Sequence, residues 1–138
     1  MQQSVIPESV LNRLRDKTAA TRIAVVGASS DPAKYGNIIV KNLLRQGYTV
    51  LPVNPRGGTI EGLPAYSDVS EVPGPVHVLD IVTPPAVTRA FLQRLDPALA
   101  GAVWLQDGSF EPEDIPIAKS RFPVVVHDAC IMVVTRMV

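Results

Sequence analysis

Short apolar runs alternate along this chain with longer stretches in which apolar positions recur at helical spacing. The first run, residues 23–26 (Ile-Ala-Val-Val), is apolar on both faces, as expected of a central strand in a parallel sheet covered by helices. Ahead of it, residues 4–20 carry Val10, Leu11 and Leu14 at helical spacing, with Pro7 and Glu8 suited to a first turn. This predicts an amphipathic packing helix over 7–20. Behind the first strand, residues 36–46 put Ile38, Ile39, Leu43 and Leu44 on one side, and Gly47 stands where a helix ends. Residues 48–53 return to strand, 63–72 read as a short turn-and-helix excursion, 76–82 as a third strand, and 85–95 as a helix opened by proline. Residues 102–106 predict a fourth strand, 111–121 a weaker helix interrupted by Pro112 and Pro116, and 124–126 a fifth strand. Residues 130–136 fit either a short terminal strand or a final helical turn. The alternation implies an α/β fold with a doubly wound, mainly parallel sheet of five to six strands in three αβα layers.

In such sheets ligands bind beyond the carboxyl ends of the strands, beside the point where strand order reverses. The loops expected there are Gly-Ala-Ser-Ser at 27–30, Val-Asn-Pro-Arg-Gly-Gly at 53–58, Thr-Pro-Pro at 83–85, Leu-Gln-Asp-Gly at 105–108 and His-Asp-Ala-Cys at 127–130. Gly27 allows a sharp turn with no side chain between backbone and ligand, Ser29 and Ser30 add hydroxyl donors, and the helix start near Gly36 favours a phosphate. The spacing is not that of the dinucleotide fingerprint, because Ala28 follows Gly27 and the next glycine is Gly36. An ordinary strand-to-helix turn is the plain alternative. The second loop separates the cofactors. A domain that binds NAD usually places an acid at the end of its second strand. Here Val53, Asn54, Pro55 and Arg56 take that place, and no carboxylate follows until Glu61. Arg56 suits a phosphate, which points to coenzyme A or NADP rather than NAD.

Composition narrows the partner. The 138 residues suit one domain, 1–138, and leave no room for a separate catalytic domain. Thirteen basic and thirteen acidic residues cancel, so no global field draws the chain to nucleic acid or to an anionic membrane, and a small-molecule ligand is expected. A lone cysteine, Cys130, fits a reducing compartment. The start lacks a signal-peptide pattern and no apolar run approaches membrane-spanning length, so a cytoplasmic location is expected.

The segments VVGASSDPAKYG, GYTVLPVNPRG, EGLPAYSDVSEVP, VWLQDG and VVVHDACIMV, in that order, resemble the bacterial family of small, stand-alone CoA-binding proteins. The likeness runs from Arg22 to the C-terminus, and that family in turn resembles the CoA-binding domain of the succinyl-CoA synthetase α subunit, with its Rossmann-like fold. The resemblance implies coenzyme A as the cofactor, contacted by Gly27, Ala28, Ser29 and Ser30 after the first strand. Arg56, in Asn54-Pro55-Arg56-Gly57, stands where the synthetase has a lysine, so the charge is kept and the geometry altered. It further implies contacts from Leu105, Gln106, Asp107 and Gly108, an apolar wall for adenine from Thr83, Pro84 and Pro85, and a phosphate-neutralising role for Lys34. The synthetase's phosphohistidine belongs to a following domain with no counterpart in this sequence, so its activity does not transfer. No catalysis is expected, and the fold is one that often pairs as a homodimer through exposed helices.

Other residues carry weaker signals. His77, at the start of the third strand and away from the loops, reads as structural, and Trp104, in mid-strand, as core. Glu111, Glu113 and Asp114 suit a helix N-terminus. His127, Asp128 and Cys130 are too few and too local for a zinc site, and the plain reading is a small buried thiol beside a polar turn. A rival reading brings Cys130 to the thiol end of CoA as a mixed disulfide. Action on acyl-CoA through Cys130 would need an activating base, for which His127 is the residue close in sequence. An NADP-dependent oxidoreductase or redox sensor is the alternative from another class.

Overall fold

The computed structural model describes residues 6–138. The first helix is α1 (Glu8–Arg15), followed by β1 (Arg22–Val26), α2 (Tyr35–Arg45) and β2 (Thr49–Val53). A small hairpin, β3 (Thr59–Ile60) and β4 (Leu63–Pro64), precedes β5 (Val76–Ile81) and α3 (Pro85–Arg94). The chain closes with β6 (Ala100–Leu105), α4 (Asp114–Arg121), β7 (Val125–His127) and α5 (Ile131–Met137). The five long strands form one sheet, all parallel, in the order β2-β1-β5-β6-β7, and the hairpin stands apart from it.

Alternation along the strands divides the core between the two faces. Ala24, Val26, Leu79, Ile81, Val103 and Leu105 pack under α3 and α4, with Phe91, Leu92 and Ala118 supplied by the helices. Ile23, Val25, Val78, Ala102, Trp104 and Val126 pack under α1, α2 and α5, against Leu14, Ile39, Val40, Leu43 and Ile131. The three-layer α/β architecture expected from the sequence is therefore present. Trp104 is a core residue, fully buried, with its indole N–H donated to the Ala129 carbonyl at 2.8 Å. Pro52 is tolerated because β2 is an edge strand.

Four expectations change in detail. The N-terminal helix stops at Arg15 and does not run to residue 20, because the buried Thr21 hydroxyl donates to the carbonyls of Arg13 and Asp16 and turns the chain toward β1. Residues 4 and 5 of that expected segment lie outside the described residues. The excursion over 63–72 is the second half of the hairpin followed by a 3-10 turn at Val69–Glu71. The weak helix over 111–121 begins at Asp114, which leaves Pro112 outside it and Pro116 in the first turn, where no intrahelical N–H is required. The ambiguous segment after residue 130 is helix, not strand. Among the described residues no helix is long and apolar enough to cross a membrane.

Candidate functional site

From β1 the chain passes through α2 to β2 on one flank, then crosses back to β5, so strand order reverses between β1 and β5. At that point a ligand crevice is expected beyond the carboxyl ends, and the Gly27 turn stands there. Gly27 has φ +93°, and a Cβ on it would lie 3.1 Å from the backbone nitrogen of Thr83. Its N–H donates to the Val53 carbonyl at 3.1 Å, which ties the first loop to the end of β2. Gly36 serves a different purpose: any Cβ there would drive into the Gly27 carbonyl oxygen, so glycine lets α2 begin directly against the turn. Close helix–strand packing of this kind is the role of the last glycine in a dinucleotide fingerprint, reached here by a longer route.

The start of α2 is open. Lys34 occupies its N-cap position in an extended conformation, no side chain caps it, and its first turn holds no acid. The second loop is pinned beside it by Asn54, whose amide donates to the Ala28 carbonyl at 2.8 Å while its oxygen accepts from the Arg56 N–H at 2.8 Å. Ser29, Ser30, Lys34, Asn54, Pro55, Arg56 and the hairpin residue Ile60 surround a cleft of about 380 Å³. Among the described residues neither Lys34 nor Arg56 makes an ion pair. The hairpin also returns Glu61 to this edge. Buried Asn37, on α2, donates to the Ser29 carbonyl at 2.8 Å and to the Glu61 carboxylate at 3.0 Å.

Lys34 also borders an adjoining hollow of about 300 Å³ with Gly27, Tyr35, Gly36, Thr83 and Pro84. Beyond Pro84 an open depression of about 570 Å³ continues past Pro85 and Arg89 to Glu111. Arg89 donates to the buried Asp114 carboxylate at 2.6 Å, and that carboxylate also accepts from the Glu111 N–H at 2.7 Å, so this acid closes the start of α4.

At the ends of β5, β6 and β7 a polar cluster lies on the α2 and α5 face. The Tyr35 hydroxyl and the half-buried Cys130 thiol are 3.1 Å apart, and the buried Gln106 amide faces both. Burial pushes the Cys130 thiol up, but hydrogen bonds from Tyr35, from the backbone N–H groups of Val133 and Met132 and from Gln106 outweigh it and leave the pKa below the ordinary thiol value. Burial, and then the neighbouring thiol, raise the pKa of Tyr35. Asp80, fully buried one residue before the end of β5, is held well above the usual carboxylate range by desolvation first and by Cys130 second. Among the described residues no group of three or more His, Cys, Asp or Glu side chains is placed to hold a metal ion.

Residues 21–136 match the sequence model of a CoA binding domain. The chain belongs to this CoA-binding domain family. It is 31% identical to the uncharacterized protein YneT of Bacillus subtilis over 116 residues, which cover 81% of this chain and 83% of YneT. It is 49% identical over 63 residues to the α subunit of acetate–CoA ligase (ADP-forming) II of Pyrococcus furiosus, covering 45% of this chain and 14% of that subunit. Among solved structures, a conserved hypothetical protein of Pyrococcus furiosus superposes with a TM-score of 0.74 at 41% identity, over 82% of this chain and 97% of its own.

In this CoA-binding domain the residues singled out from the sequence fall into distinct environments. Ser29, Ser30, Lys34, Asn54, Pro55 and Arg56 converge on one cleft, and Gly27, Gly36, Thr83 and Pro84 on the hollow beside it. Ala28, Val53 and Leu105 are buried in the core, so only their backbone atoms reach the edge. Gln106 turns inward to the thiol cluster, while Asp107 stands exposed beside it. His77 lies at the far end of β5, where its Nδ1 accepts from the Arg22 N–H at 3.0 Å, and burial lowers its pKa. His127 pairs with Asp128 and meets Phe110 edge-on. It is level with Leu105 on the α3 and α4 side, away from Cys130. Sequence reasoning passed over Tyr35, Asn37, Glu61 and Asp80. For Asp80 a signal existed: one carboxylate in a strand otherwise apolar beyond His77.

Proposed function

We propose that this domain binds CoA or an acyl-CoA along the carboxyl edge of its sheet, with the pyrophosphate at the Gly27 turn and the start of α2. The observation that carries this reading is the uncapped N-terminus of an 11-residue helix whose own first turn holds no acid, facing a cleft rimmed by Lys34 and Arg56. Free N–H groups, a helix dipole and two cations are what a diphosphate requires. Arg56 takes a further phosphate beside the ribose, and adenine lies between the loops after β2 and β5, against Thr83, Pro84 and Pro85. Val53 acts through its carbonyl, which fixes Gly27. Asp107 and Gln106 lie farther along, on the path of the pantetheine arm. The relative named as an acetate–CoA ligase subunit supports CoA as the ligand class.

Calorimetric titration with CoA, dephospho-CoA, NADP and NAD tests the reading. CoA should bind most tightly and dephospho-CoA about tenfold more weakly, the size of one charge-assisted contact. Tighter binding of NAD than of CoA would overturn it.

A further inference from the structure

Cys130 has surroundings that a packing thiol does not need. Its sulfur lies 3.1 Å from the Tyr35 hydroxyl and 3.7 Å from the Gln106 amide nitrogen, and that amide is fixed from its other end by the Ile131 N–H at 3.0 Å. Asp80 lies level with Val25 and Trp104, and so on the same face of the sheet as this cluster. It is fully buried, and among the described residues neither carboxyl oxygen has a hydrogen-bond partner. A buried polar group left unsatisfied costs about 1–3 kcal/mol, so its presence calls for a reason. Desolvation first and the neighbouring Cys130 second raise the pKa of Asp80, while the hydrogen bonds to Cys130 lower that of the thiol.

The reach also fits. From β1 to β7 the sheet crosses three interstrand spacings, about 14 Å. The arm of CoA between pyrophosphate and sulfur contains about a dozen bonds, the backbone length of some four residues, and extends to roughly 14 Å. Tyr35 bridges the two ends, since it lines the hollow with Gly27 and Thr83 and touches Cys130.

The geometry points to an acyl-transfer site, in which Cys130 takes the acyl group of a bound acyl-CoA by thioester exchange, assisted by Tyr35, Gln106 and Asp80. It rests on the reading that CoA is seated at the Gly27 turn. The Cys130 thiolate, held by the Tyr35 hydroxyl, forms a bond to the thioester carbon while Gln106 donates to the carbonyl oxygen. The bond from that carbon to the CoA sulfur breaks, the electron pair leaves with the sulfur, and the Asp80 proton neutralises it. Asp80 then recovers a proton from water, and no oxidant or reductant is consumed. Asp80 thus serves as the acid of the step, and His127, the base that sequence proximity offered, takes no part in it.

Acetyl-CoA is the probe. The whole chain is incubated with it at neutral pH and followed by intact-protein mass spectrometry and by release of CoA thiol, while calorimetry with CoA is run on the same preparation. The expected result is a single hydroxylamine-labile acetyl group mapped to Cys130, with equal release of CoA. Cys130→Ser should take none. Tyr35→Phe and Asp80→Asn should react at least about tenfold more slowly at saturating acetyl-CoA. If Asp80→Asn does not fold, Tyr35→Phe decides. A chain that binds CoA yet takes no acetyl group, takes it no faster than a free cysteine, or takes it equally fast in the variants overturns the inference and leaves CoA binding standing. An adduct formed only from the disulfide of CoA overturns it as well and assigns the thiol to disulfide exchange. Failure to bind CoA overturns both.

Discussion

The carboxyl edge of the sheet is built in two different ways. Beside β1 and β2 the cleft is mostly backbone: a glycine turn, an uncapped helix start and a loop pinned by one asparagine, with Lys34 and Arg56 at the rim. Beside β5, β6 and β7 the cluster is made of side chains, a phenol, an amide, a thiol and a carboxyl, drawn from separate elements. The first region draws its groups from short segments, joined by backbone contacts such as Gly27 to Val53 and Ala28 to Asn54. In the second, Tyr35 and Cys130 stand 95 residues apart and Gln106 stands 71 residues from Tyr35. Holding a phosphate needs only oriented N–H groups and positive charge, which one short segment can supply. Activating a thiol needs groups that converge from several directions, which only packing can arrange.

Three substitutions separate the two regions. Gly36→Ala carries the largest expected effect, because the added methyl meets the Gly27 carbonyl and neither backbone can yield cheaply. A loss of at least about 3 kcal/mol in denaturant-induced unfolding is expected. A loss well under 1 kcal/mol would mean that the turn is looser than described and the cleft not preformed. Arg56→Ala should leave stability unchanged within about 0.5 kcal/mol and weaken CoA binding about tenfold by calorimetry. Under the thiol-exchange reading, it should leave the acetylation rate at saturating acetyl-CoA untouched. An effect on that rate would mean that the two regions are not independent.

Asp80→Asn has the most specific sign. The folded chain holds the Asp80 proton well above pH 3.8, the ordinary value, whereas the unfolded chain releases it near that pH. Stability from this group is therefore complete below pH 3.8 and declines as pH rises above it. Asparagine cannot ionise, so the variant should match the parent in acid and exceed it increasingly toward neutral pH, as read from melting curves across that range. Equal slopes in both proteins would mean that Asp80 is ionised in the fold.

How much of this was legible beforehand differs by region for the same reason. Gly27, Ser29, Ser30, Asn54 and Arg56 stood out because a strand followed by a glycine turn and an acid-free second loop are local patterns. Among the described residues Arg56 makes no long-range ion pair, and its N–H is held by Asn54 two residues away, which itself reaches Ala28. Gly36 was visible as a helix start, yet its clash-avoiding role needed the turn folded back onto it. The end of α1 was misjudged because Thr21, beyond the apparent helix, caps it from outside. Glu61 looked remote until the hairpin brought it to Asn37, 24 residues away in sequence. His127 was the obvious companion for Cys130 by proximity, but strand alternation sends it to the other face.

By itself the sequence determined the layer order, the parallel sheet, the family and the glycine turn after the first strand, since these follow from hydrophobic periodicity and short motifs acting over a few residues. Tertiary structure alone decided which polar groups share the edge. It placed Asp80 beside Trp104 with no hydrogen-bond partner among the described residues, set Tyr35 between the Gly27 turn and Cys130, and turned Gln106 inward. The physical reason is that backbone conformation is written locally, whereas the meeting of side chains depends on strand order and register, which emerge only when the whole sheet is assembled.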